Sequence, residues 1–161
     1  MSAPGGWAPD VLEFAGTLTF ETKQDDVNVD VTLEGVVDSI GVPRRQLFIS
    51  SSNSAINTQW YGEVLDEGNN NEAVQVMREI ADSYTQYAAT PAPAVFAVAP
   101  FRLTFSIREQ GRIAVQGTFA GQTFAAEGVA ADYRNNDNLL KIFAASLGMR
   151  LRSVFVVATD P

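Results

Sequence analysis

Alternation is the strongest regularity along the chain. Leu12, Phe14, Gly16, Leu18 and Phe20 fall on one side of an extended segment, and Glu13, Ala15, Thr17, Thr19 and Glu21 on the other. Successive strand side chains point to opposite faces, so this pattern predicts a strand with one buried face. Val27, Val29, Val31, Leu33, Gly35 and Val37 predict a second, against Asn28, Asp30, Thr32, Glu34 and Asp38. A four-residue loop from Lys23 to Asp26 sets Phe20 opposite Val29 and Leu18 opposite Val31. That match of apolar partners predicts a hairpin.

A second hairpin is equally marked. Phe101, Leu103, Phe105 and Ile107 alternate with Arg102, Thr104, Ser106 and Arg108, and Ile113, Val115, Gly117 and Phe119 return along the same face. The loop Glu109, Gln110, Gly111 ends on glycine, the residue that a three-residue hairpin needs for its left-handed position. Further strands are predicted for Gln46 to Ser50, Ile56 to Leu65, Thr123 to Ala131 and Met149 to Thr159, with Ser50 to Ser54 as a polar loop.

Two segments read with a helical period. Between Glu72 and Ala89, Ala73, Val74, Met77, Ile80, Ala81, Tyr84 and Ala88 recur at three and four, with caps from Asn69 to Asn71 and stops at Pro91 and Pro93. A shorter helix is predicted from Asn138 to Leu147, capped near Asp137 and ended by Gly148. The expected class is therefore α+β: a mainly antiparallel β-sheet, open to closure as a curved sheet or barrel, with two covering helices. Leu18-Thr19-Phe20 and Val29, Thr32, Leu33 align with Leu103-Thr104-Phe105 and Val115, Thr118, Phe119. Each half then returns through a strand, Val95 to Val98 in one and Val154 to Val157 in the other. Two β-β-(β)-α-β units over residues 10–100 and 101–161 would explain this, and shared strand propensity explains it equally well.

At 161 residues the chain has the length of one domain. It is expected to span residues 10–161, after a loose arm over 1–9 that lacks the layout of a signal peptide. No run of apolar residues approaches the ~18 of a membrane span. Cytoplasmic residence is the default for a cysteine-free chain of this kind. Residues 1–82 carry 14 acidic and 4 basic side chains, and residues 83–161 carry 5 and 7, so the net charge of -8 is the sum of -10 in the first half and +2 in the second. That field repels nucleic acid.

The absence of histidine and cysteine removes the Ser-His-Asp triad, thiolate nucleophiles, and imidazole or sulfur metal sites. Asp30 and Glu34 share a strand face but lie roughly 13 Å apart at ~3.3 Å per residue, beyond the ~5–9.5 Å of paired glycosidic carboxylates. The residues Asp66, Glu67, Asn69, Asn70 and Glu72 lack the spacing of a calcium loop. Gly117 and Gly121 fall in a hairpin and open no helix, unlike a dinucleotide fingerprint. No catalytic residue, metal site or cofactor is predicted. Trp60 and Tyr61 are adjacent on a strand, so one faces the core and the other is presented outward. With Asn53 in the neighbouring polar stretch, and with Asp30 and Glu34, they form the candidate set for binding a ligand or partner.

Three roles fit these residues. The leading one is a non-catalytic interaction or self-assembly protein, homo-oligomeric or bound to another protein. The second is a curved sheet or barrel holding a small apolar ligand, with isomerase, cyclase or lyase chemistry open to it. The third is an acidic inhibitor or immunity-type binder of a basic partner protein.

Overall fold

Among the described residues ten strands carry the fold: β1 (Leu12–Glu21), β2 (Asn28–Ile40), β3 (Arg45–Asn53), β4 (Thr58–Asp66), β5 (Glu72–Ile80), β6 (Ser83–Pro91), β7 (Ala99–Ile107), β8 (Arg112–Phe119), β9 (Gln122–Val129) and β10 (Leu139–Thr159). The computed structural model describes residues 12–21, 28–42, 44–69, 71–92, 95–108, 110–133 and 139–159. Every pairing is antiparallel, in the order β6-β5-β4-β3-β10-β2-β7-β8-β9, with β1 also on β10. The 21-residue β10 pairs with β3 through Leu139–Ala145 and with β2 through Leu147–Thr159. Between the two stretches Ser146 takes a left-handed backbone (φ 54), so one strand serves both halves of the sheet. The sheet bends until β4 packs on β8, and β5 and β6 on β9, which makes it nearly barrel-shaped.

The alternation read from the sequence fixes which side faces in. In β2, Val29, Val31, Leu33, Gly35 and Val37 are buried and the residues between them are not. Leu47, Ile49, Trp60, Val64, Val74 and Val76 meet Leu103, Phe105, Ile113 and Val115 in the shared core. Burying each large apolar side chain favours folding by about 1.5–3 kcal/mol. The two layers approach closely at Gly62, where a Cβ would lie 2.7 Å from Val115 Cβ and 3.0 Å from Phe105 Cδ2. β4 can hold its place only without a side chain there.

The second hairpin matches expectation. Phe101 pairs with Phe119 and Ile107 with Ile113, while Gly111 has φ 74 and its N–H donates to the Arg108 carbonyl at 2.9 Å. The first hairpin does not form. β1 pairs with β10, and β10 separates it from β2; the loop 23–26 lies outside the described residues. Alternation specifies a strand's buried face but not its neighbour, and β10 carries the same pattern over a longer span.

The two covering helices are replaced by strands. Among the described residues the helical element is a single 3-10 turn, Ser54–Ile56, and no helix is long and apolar enough to cross a membrane. Glu72–Ala89 is the hairpin β5–β6, turned at Ala81 (φ 45) and Asp82 (φ 65). Leu139–Leu147 begins β10, and Asp137 and Asn138 lie outside the described residues. Strand pairing on both sides of β5 and β10 satisfies their backbone groups, which outweighs a helical spacing that the same residues also fit. The polar stretch expected as a loop is the end of β3 as far as Asn53, and Val95–Val98 is not a strand. The arm 1–9 lies outside the described residues, and the repeat units lose the helix that would complete each of them.

The small residues of β9 allow a close approach by β6, since a Cβ at Gly128 would lie 2.8 Å from Tyr87 Cβ. A polar clasp holds this edge: Arg78 ion-pairs with Asp132 and donates to Thr85 Oγ1 at 2.9 Å, and the Tyr87 hydroxyl donates to Asp132 Oδ1 at 2.8 Å. Burial alone would raise the Asp132 carboxyl, but the bonds from Arg78 and Tyr87 outweigh it and hold it below the usual carboxylate range. Burial first, and then Asp132, pushes the Tyr87 hydroxyl up to about 12.

Candidate functional site

One group of polar and aromatic residues gathers on the outer face of β10, β3, β4, β5 and β6. Registered pairing lays them in rows. One row is Lys141, Ser50, Tyr61, Met77 and Gln86, and the next is Phe143, Phe48, Glu63, Gln75 and Ala89. Direct and diagonal contacts across the sheet then give two lines of like chemistry. Phe143, Phe48 and Tyr61 form an aromatic line, with Phe48 stacked on Phe143 at 4.9 Å and tilted against Tyr61 at 5.3 Å. Gln46 and Gln75 each donate an amide hydrogen bond to Glu63, and Gln86 Nε2 donates to Gln75 Oε1 at 2.6 Å.

These lines floor an open groove of about 600 Å³, whose rim includes Arg44, Glu67 and Tyr84. Tyr61, Glu63 and Gln75 are buried in the floor, whereas Tyr84 is 59% exposed and its hydroxyl donates to Glu79 Oε1 at 3.4 Å. The charged groups lining it are Glu63, Glu67 and Glu79 against Arg44. A second cavity of about 360 Å³ adjoins the groove at the β5–β6 turn, and Gln59 and Glu79 line both.

Burial pushes the Glu63 carboxyl above the usual carboxylate range, against the lowering effect of its bonds from Gln46 and Gln75. Burial also raises the Tyr61 hydroxyl, with a further push from Glu63 and Glu79, so Tyr61 stays protonated. Nearby Glu79 raises Tyr84 in the same sense. For Glu63 the folded form binds its proton more tightly than the unfolded chain does. The stability this contributes is full below the ordinary carboxylate pKa and is lost as pH rises through the raised folded value. Glu63→Gln is expected to remove that fall. Urea-unfolding midpoints of both proteins from about pH 4 to about pH 8 test it, the variant curve being the flatter.

Of the residues singled out in the sequence, Tyr61 lies in the floor of the groove and Asn53 lines the adjoining cavity. Trp60 faces the opposite way, in the core, with its ring edge-on to Tyr133 at 4.9 Å. Asp30 and Glu34 stand on the outer face of the other layer. There Asp30 pairs with Arg108 at 2.9 Å and Glu34 with Arg102 at 3.3 Å, and nearby Asp38 pairs with Arg150 at 3.2 Å. Acidic first-half residues thus meet basic second-half residues within the chain. Each such exposed pair stabilises by no more than about 1 kcal/mol. Phe48, Phe143, Glu63, Gln75, Glu79 and Tyr84 were not anticipated. The available signal was the shared strand parity of Tyr61 and Glu63, which sets both on the outward side.

No family model matches this chain, and neither does any curated protein. Several solved structures share its fold. The chain is similar to sheep galectin-11 in complex with glycerol, at 11% identity over 89% of this chain and 99% of that one, with a TM-score of 0.58. It is similar to CG-16, a homodimeric agglutinin from chicken liver, at 9% identity over 88% and 99%, with a TM-score of 0.55. It is also similar to the CBM2 module of Lactobacillus casei BL23 phage J-1 evolved Dit, at 6% identity over 96% and 79%, with a TM-score of 0.62. At these identities the likeness is one of fold.

Proposed function

We propose that this protein is a non-catalytic glycan-binding module whose ligand is uncharged and lies in the groove over β3, β4 and β5. The observation that carries this reading is the aromatic line beside a carboxylate and amide line in one groove. A sugar ring has an apolar C–H face and a rim of hydroxyl donors. Phe48, Phe143 and Tyr84 offer the first a surface, and Glu63 and Glu79 offer the second acceptors. The acidic lining disfavours uronic, sulfated or phosphorylated ligands. Glycerol on galectin-11 is a polyol held by a similar fold, which supports the reading.

An array of neutral, uronic and sulfated glycans tests it. The expected result is retention of a neutral glycan, weakened at least about tenfold by Tyr84→Ala with the unfolding midpoint unchanged, because that ring is largely in solvent. Binding that survives Tyr84→Ala together with Phe48→Leu, or no neutral glycan retained, refutes the assignment.

Self-association is the competing reading. It is favoured by Phe155, 52% exposed on β10, and by β6 and β9, which pair on one side only among the described residues. A compact dimer by sedimentation with no glycan retained is the outcome that favours it.

A further inference from the structure

The cavity beside the groove differs from it in chemistry. Its walls come from two turns at one end of the layer: the link from β3 to β4 supplies Asn57, and the β5–β6 turn supplies Ala81 and Asp82. Lys141 reaches it from β10 and Asn53 from the end of β3, and among the described residues its lining includes no aromatic ring. Asn57 (φ 46), Ala81 (φ 45) and Asp82 (φ 65) are all left-handed. Such backbone costs a non-glycine residue on the order of 1–3 kcal/mol and persists where the surroundings hold it. Gln59 and Glu79, which line both spaces, are joined by a hydrogen bond donated by Gln59, and the Ser52 hydroxyl donates to Gln59 Oε1 at 3.5 Å. Together the two volumes of about 360 and 600 Å³ reach the upper part of the range for ligand sites, on the order of 300–1,000 Å³.

We infer that the cavity is an extension subsite, so that the ligand is an oligosaccharide with one unit on the aromatic floor and the next on the polar walls formed by Asn53, Asn57, Asp82 and Lys141. The inference rests on the glycan reading of the groove. A unit lying in the polar cavity has hydrogen bonds to make but no ring to cover, so alone it exchanges water for protein at little net gain. Tethered to a unit in the groove it binds at high effective concentration, and its bonds then count. Affinity should therefore climb with chain length and level off once both spaces are filled.

Titration calorimetry with two neutral series, galactose to β-1,4-galactotetraose and glucose to cellotetraose, tests this. In the series that binds, the tetrasaccharide is expected to bind about tenfold or more tightly than the monosaccharide. The double variant Asn57→Gly, Asp82→Gly deletes two polar walls at positions whose backbone suits glycine, so the fold is kept. It should lose the gain with length and hold the monosaccharide as before. Equal affinity at all lengths, or a length gain untouched by the variant, overturns the extension and leaves the groove assignment standing. Failure of both series at every length counts against both.

Discussion

Phe105→Ala is expected to lower the free energy of unfolding by about 3–5 kcal/mol, the largest loss from any single truncation considered for this chain. Phe105 is fully buried on β7, registered between Val31 of β2 and Val115 of β8, and it faces Gly62 across the core. Removing its ring leaves a void between two layers whose strands are pinned by pairing on both sides, so little collapse can fill it. The urea midpoint should fall with the slope unchanged; a loss below about 1 kcal/mol would mean that the layers repack.

The second large effect is of opposite volume. Gly62→Ala places a Cβ 2.7 Å from Val115 Cβ and 3.0 Å from Phe105 Cδ2, closer than carbon atoms pack. Overpacking of this kind costs about 1–3 kcal/mol. Its consequence reaches the groove, because Tyr61 and Glu63 flank Gly62 in sequence and point the other way. A shift of β4 away from the core carries both outward, so glycan binding should weaken along with stability. Val115→Gly in the same chain removes the Cβ that the new methyl meets, and the pair should be less destabilised than the sum of the singles, a coupling that a double-mutant cycle measures. Additive losses would show that the collision is relieved elsewhere.

Sequence and structure agree where burial on one face decides the answer. β2, β7 and β8 are legible because Val29 to Val37, Phe101 to Ile107 and Ile113 to Phe119 each alternate without interruption, and the β7–β8 turn contains the glycine its geometry demands. β5 and β6 are not, because Val74, Met77, Ile80 and Tyr84 fit a helical stripe as well as two strand faces. The turn that would have separated them, Ala81-Asp82, lacks the asparagine or glycine that usually marks such a hairpin. Misreading this segment also concealed the site. In a helix Met77 and Tyr84 belong to the core, whereas in the hairpin they stand over the outer face with Glu79. The outward direction of Tyr61 was available from its adjacency to Trp60. Its companions Phe48 and Phe143 lie on strands far apart in sequence, and their stacking depends on β10 pairing with β3, which no local pattern specifies.

The position of β10 bears on how the chain is made. The strand that joins both halves is the last of the ten to leave the ribosome, and β2 and β3 were made about a hundred residues earlier. Until then each of them presents an open row of amides and carbonyls with its oily side uncovered. Contacts of such long sequence separation form slowly, and a nascent chain in that state is vulnerable to pairing with its neighbours on the same message. Yield in a cell should therefore respond to holdase chaperones and growth temperature more than to further improvement of the finished core.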